Sequence, residues 1–313
     1  MSYGQKSHVA IAFQSSWDTS NITSLYHMQH IEESVGLDIP PLIDESARGV
    51  FDEGDSYVGP KVVTGDLSIN VKAIPLGVLL RGICGAPSTA GTPLFTHTFK
   101  PRTSDFDSLS AGDPLTYFKY MDDGGSGTLF YNLNMSTLEL GAANGEFLTA
   151  KAGFVGGAFS QTANIAASFP TGNRLPWDSS SIQLGGTATG MLKALTLTMD
   201  EALEPHHTLN GSKFPSRVKR SGNRTIEISG TILFDDQTEY QKFVAQTEEA
   251  LVASFAVGSD QLIITAPAFR YSEFKPVAPS AGKIEVGFTG AAKYHATSAT
   301  SIQFDLKNLQ AAY

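Results

Sequence analysis

The residues best suited to chemistry are histidines standing close together or beside acids. His27 and His30, in Tyr26-His27-Met28-Gln29-His30, have a spacing that could place two ligands side by side. His206-His207 lie near Asp200, Glu201 and Glu204. A metal centre of this kind needs three or four converging groups, and no Cys, Asp or further His in a companion motif completes the first pair. The second cluster is the better candidate for metal or acid–base work, with a polar turn as its ordinary reading. Asp44, Glu45, Asp52, Glu53 and Asp55 set five acids against Arg48. They lack the ordered oxygen-ligand spacing of an EF-hand loop, and Pro40-Pro41 ahead of them mark an exposed, extended arm. Cys84 is the only cysteine. It sits in an apolar run, where a thiol behaves as a buried small hydrophobe rather than a nucleophile.

Gly124-Gly125-Ser126-Gly127 follows Asp122-Asp123 between two alternating runs, so it marks a hairpin tip. A nucleophile elbow would need Gly-x-Ser-x-Gly between a strand and a helix, and a phosphate loop would need a closing Lys-Ser/Thr. With no Ser/His/Asp arrangement in context, no Walker or Rossmann fingerprint and no HExxH, the expectation is a non-enzymatic protein without metal or cofactor.

The elements around these residues read as strands. Val63, Gly65, Leu67, Ile69 and Val71 alternate with Thr64, Asp66, Ser68 and Asn70, the pattern of a strand burying one face. Ala73 to Cys84 then predicts a short helix packed on a sheet. Pro75 stands in its first turn, Ile74, Val78, Leu79 and Ile83 share a face, and Gly85 is its stop. Further strands are expected at residues 8–17, 115–120, 128–133, 136–140 and 146–159. In the second half they are expected at 195–199, 226–234, 251–257, 261–271, 283–293 and 301–306. Asp236 with Glu239 resembles a capping arrangement for a helix carrying Tyr240, Phe243, Val244 and Thr247. The Pro, Ser, Thr and Asp-rich stretch 86–114 reads as an insertion or functional loop.

The order of acidic arm, alternating strand and short helix has a second version after residue 210. Gly153-Phe154 matches Gly287-Phe288 at an offset of 134, and Leu67 set on Ile226 gives 159; the difference of 25 is about what the insertion would supply. The expected organisation is a first module over 1–165 with a long arm at 38–60, a linker over 166–190, and a second module over 191–313. The arm of the second module carries Lys213, Arg217, Lys219, Arg220 and Arg224 and no acid between them.

Composition agrees with an all-β fold: 30 Gly, 15 Pro and 41% hydrophobic residues over 313 positions, enough for a full core. The opening Met1 to His8 lacks the apolar core of a signal peptide, and no apolar run is long enough to span a bilayer. A net charge of −9, with 31 acids against 22 bases, disfavours tight nucleic-acid binding. It suits a surface that DNA passes without sticking.

Glu33-Ser34-Val35-Gly36-Leu37, followed by Arg48-Gly49-Val50-Phe51-Asp52-Glu53-Gly54-Asp55-Ser56-Tyr57, resembles the signature region of tail tube proteins (major tail proteins) of long-tailed bacteriophages. Val9 to Trp17, and Gly65-Asp66-Leu67-Ser68 leading into Ala73-Ile74-Pro75-Leu76-Gly77, continue the likeness, which is densest over 8–90. The resemblance implies tandem β-barrel or sandwich modules with short flanking helices, closing into rings that stack into a hollow virion tail assembled in the host cytoplasm. It also implies a tape-measure protein, tail-tip and tail-terminator proteins as partners, and DNA passing a neutral or acidic lumen without specific binding. Two modules per chain lead to an expected ring of three chains, with six as the alternative. The acidic residues Asp44, Glu45, Asp52, Glu53 and Asp55 are then expected to meet the basic arm of a neighbour. Two other readings are a contractile-tail or secretion-type inner tube protein, and a β-sandwich decoration or carbohydrate-binding module using Tyr117, Phe118 and Tyr120 as an aromatic platform.

Overall fold

The computed structural model describes residues 3–46, 49, 51–52, 54–103, 114–122, 124–189, 191–278 and 280–313. Glu53 of the acidic arm, Arg48 and Val50 of the motif, and 104–113 of the expected insertion lie outside the described residues.

Alternation writes most of the strands. In chain order they are β1 (His8–Phe13), β2 (Tyr26–Met28), β3 (Val62–Asn70), β4 (Phe95–Phe99), β5 (Leu115–Tyr120), β6 (Ser126–Ala143), β7 (Thr149–Ala163) and β8 (Ser180–Leu184). Then follow β9 (Leu192–Asp200), β10 (Thr225–Leu233), β11 (Glu249–Val257), β12 (Asp260–Phe274), β13 (Glu285–Ala292) and β14 (Gln303–Asn308). Helix α1 (Ala73–Cys84) follows β3, and α2 (Thr238–Ala245) follows β10. The fold is all-β, with these two short helices beside one large antiparallel sheet. It is sandwich-like, and among the described residues no ladder closes it into a barrel.

The ladders give both halves one plan. In the first half the order is β2–β1–β5–β6–β7–β3–(Gly36–Asp38). In the second it is (Thr187–Ala188)–β8–β11–β12–β13–β10–β9. In each, the helix follows the strand next to one end of the row. The register differs from the one expected from sequence. Gly153 pairs with Asp66 and Gly287 with Thr231, so the matching strands are offset by 165 (Asp66 to Thr231), not by 159. Leu67 therefore corresponds to Ile232, Gly65 to Gly230, and the first helical residue Ala73 to Thr238. Ile226 and Ile232 face the same side of β10, and that is why the sequence pattern alone admits the wrong partner.

The halves are joined along β6. Its first part pairs with β5; its last part, Thr137 to Ala143, pairs with Asp200 to Ala194 of β9. Residues 180–184, inside the expected linker, are β8, paired with β11. The expected insertion is also ordered in part: β4 with Ser88–Ala90 forms a hairpin that pairs with β14, which lies along β12. Burial follows the same joint. Ten of the twelve residues of α1 are buried, because β6 covers one side and β4, β12 and β14 another. It is a core helix, not the amphipathic one that four facing apolar residues suggest. Helix α2 lies on β12 and has no buried residue.

Candidate assembly surfaces

Three features stand out on the surface, and none gathers reactive groups. His27 faces His8, with ring centroids 5.6 Å apart, whereas His30 Nε2 meets the Ser7 hydroxyl at 3.2 Å, so the two do not converge. Glu201 is turned into the protein and His206 is exposed. Among the described residues no three His, Cys, Asp or Glu side chains gather as a metal site. Tyr117 and Phe118 are fully buried, so the sugar platform drawn from them does not exist; they are strand core.

The first feature is the outer face of the sheet β3–β7–β6–β9–β10–β13. Leu67, Ala152, Leu138, Leu197, Ile228 and Phe288 point into the core from these six strands. The alternate positions carry small polar groups: Thr149, Gly141, Thr196, Ser229 and Thr289 stand in one row across five strands. Its acids are Asp66, Glu139, Asp200, Glu227 and Glu285, and its bases Lys151 and Lys193. Asp66 meets Lys151 at 3.0 Å and Glu285 meets Lys193 at 2.6 Å. The face is therefore neutral to acidic and dominated by hydroxyls, a surface with little to grip phosphate.

The second feature is a pair of hairpins at the same place in the two halves. One joins Pro41–Ile43 to Ser56–Val58, ahead of β3; the other joins Leu203–His206 to Arg217–Arg220, ahead of β10. Pro41 stands across from Val58 in the first, and Pro205 across from Val218 in the second. Their surroundings are opposite. Val218 is fully buried with Val155 of β7, packed by Trp17, Val62 and Leu203, and Phe214 lies against Phe159 and Lys61. Val58 is 52% exposed, with Leu42, Ile43, Phe51 and Tyr57 also exposed.

The expected arm charges divide accordingly. Asp44, Glu45, Asp52 and Asp55 are exposed on the first hairpin; Asp44 N–H donates to Asp55 O and its carboxylate accepts from Ser46. Lys213, Arg217 and Lys219 are exposed on the second. Arg220 and Arg224 are not surface charges of the same kind, because both turn onto the carboxylate of Glu201, whose side chain is 2% exposed. The basic arm lies on β7, and its Lys213 O accepts from the N–H of Lys61, which directly follows the first arm, at 2.7 Å.

The third feature is α2 with the C-terminal end of β13. Asp236 accepts from Thr238 N–H at 2.8 Å, and this hydrogen bond holds its carboxyl below the usual range. Glu239 reaches Tyr271 Oη at 2.7 Å and Lys242 at 2.9 Å, so the helix is pinned to β12 by its polar side. Its apolar Val244 is 64% exposed. Nearby, Lys293 hydrogen-bonds Glu248 and keeps that carboxyl low.

Sequence reading found the acidic arm but missed Val58 and Val218. The signal was present: each arm opens on a proline and closes on a valine that stands opposite it.

An all-β body with exposed apolar arms beside a polar sheet face suits a structural protein that assembles. A model of the phage tail tube protein family matches residues 4–292, and the chain belongs to that family. It is a structural component of the virion tail. No curated protein matches the chain. Among the described residues no helix is long and apolar enough to cross a membrane.

Proposed function

We propose that the chain is two fused copies of one tube module, and that three chains close a ring of six quasi-equivalent modules. The rings stack into the conduit for genome delivery. The observation that carries this is the shared strand order of the two halves, together with the joint between them. The strand β9 of the second half extends β6 of the first, whereas the counterpart of β9, Gly36–Asp38, pairs only with β3 among the described residues. A heterologous contact repeated around an axis closes without a new kind of interface.

The outer sheet face lines the lumen in this reading, apart from the end of β7 that hairpin 203–220 covers and the corresponding end of β13. Duplex DNA carries about one negative charge per ~1.7 Å of axis, so a lining of hydroxyls with a slight excess of acid lets it pass. The chain works without catalysis or cofactor. It assembles in the host cytoplasm around a tape-measure protein, begun at the tail tip and closed by a terminator. The acidic hairpin reaches a neighbouring chain, and Lys213, Arg217 and Lys219 remain candidates for ring-to-ring contacts.

Negative-stain microscopy of the purified chain, with mass measurement of single rings, tests this. Rings or tubes with three chains per ring are expected. Six chains per ring would refute the fused-module ring, and a chain that stays monomeric under all assembly conditions would refute the tube.

A further inference from the structure

The joint inside one chain is a worked example of how a hairpin of this kind is covered. Hairpin 203–220 lies over Val62 and Val155 with its Val218 fully buried and Phe214 against Phe159. The strand offsets place the corresponding surface of the second half: Val155 corresponds to Thr289, Phe159 to Lys293 and Val62 to Glu227. The first hairpin's Leu42, Ile43, Tyr57 and Val58, by contrast, are all exposed. The helices repeat the contrast, α1 being covered by the other half and α2 not. Both exposed features thus lack a cover that their twins find inside the chain.

We propose that hairpin 41–58 of one copy docks on the second half of the next copy, over Thr289 and Lys293, and that the same contact covers Val244 of α2. The occupant is a second copy of this chain, and the inference rests on the ring reading above. The internal joint is the template for the pairing. The hairpin carries Asp44, Glu45, Asp52 and Asp55, and the surface it meets sets Lys293 and Arg270 beside Glu227, Glu248 and Glu273, so apolar packing at Val58 and not charge carries the contact. Where the internal joint uses Phe159 against Phe214, the joint between copies has Lys293 at the corresponding place. Buried Val58 supplies the apolar part, as Val218 does within the chain.

Paired cysteines test this, since native Cys84 is buried and does not compete. Val58→Cys with Thr289→Cys, oxidised by copper(II)-phenanthroline during assembly, is expected to give covalent oligomers on a non-reducing gel, with the ladder ending at the closed ring. Val155→Cys with Val218→Cys is the control and is expected to give a cross-linked monomer only. Val244→Glu is expected to abolish rings while leaving the melting temperature of the monomer unchanged. If tubes form but the 58/289 pair stays monomeric, or cross-links within one chain, the proposed docking is wrong and the tube reading stands. If the unmodified chain forms neither rings nor tubes, the ring reading itself falls.

Discussion

The Nε of Arg224 lies 2.5 Å from Oε1 of Glu201, and the guanidinium of Arg220 closes on the other oxygen of the same carboxylate. Glu201 is almost wholly buried, while Arg220 and Arg224 are about four-fifths covered, so this is an ion triad at the base of the second hairpin. Removing one member of a buried pair leaves a charge without compensation and costs ~3–5 kcal/mol. Glu201→Gln leaves two guanidiniums facing an amide and is expected to fall near this range, with Arg224→Ala somewhat lower because Arg220 remains. Urea unfolding of the unassembled chain measures both. A loss below ~1 kcal/mol would mean that solvent reaches the triad freely. The consequence for assembly experiments is direct: charge reversal on the basic hairpin belongs at Lys213, Arg217 and Lys219, because Arg220→Glu would unfold the hairpin's base.

Gly65 and Gly230 occupy corresponding points in β3 and β10, each where a neighbouring backbone comes close. Gly65 has φ +141°, and a Cβ there would come within 2.5 Å of Ser34 O and Val35 Cα. At Gly230 it would lie 2.4 Å from Ala194 O. Alanine at either is expected to cost ~1–3 kcal/mol, since backbone rather than a flexible side chain must shift. The two variants should also differ: Gly65→Ala carries the added penalty of a positive φ. Thermal melts decide, and equal midpoints with the parent would show that both close approaches relax at no cost.

How legible this was depended on whether a residue's partner is local. The strands at Val63–Val71, Leu195–Met199 and Ile226–Ile232 declare themselves because one face of each is buried and the other wet. Pro75 and Gly85 bound α1 by backbone chemistry alone, and Gly85 N–H does close on Arg81 O at 2.8 Å. The strand at Phe95–Phe99 was hidden in an apparent insertion, since its partner Phe304–Asn308 comes from the other end of the chain. The role of Glu201 was hidden for the same reason. An acid beside two histidines looks like a polar turn until Arg220 and Arg224 are folded onto it.

Cys84 closes α1 in the core, and burial pushes its thiol up to about 12, with the charge of Glu201 acting in the same direction. The thiolate is the reactive form, so the native chain is expected to resist iodoacetamide at pH 8, and to label stoichiometrically in 6–8 M urea. Labelling of the folded chain at the rate of a free thiol would show that α1 opens readily. The prediction therefore reports on the helix that joins the halves, not only on the cysteine.

His27 gives the fold a pH dependence whose sign can be worked out. The ring is 5% exposed, its Nδ1 finds no hydrogen-bond partner among the described residues, and it faces His8 at 5.6 Å and Phe169 at 6.4 Å. Burial, and then the neighbouring His8, hold its pKa below the usual 6.5. The unfolded chain therefore binds the proton more readily than the folded one. By linkage the stabilising contribution is complete above 6.5 and is lost as pH falls from there through the lowered folded value. His30 shifts in the same direction through burial, although Glu33 opposes it and Lys119 and His8 add to it. Unfolding free energy of the parent is expected to drop between about pH 7 and 5, and His27→Gln is expected to flatten part of that slope, since the amide does not titrate. Chemical denaturation across this range measures it. An unchanged slope in His27→Gln would place the acid sensitivity elsewhere and show that the ring charges in the folded chain without cost.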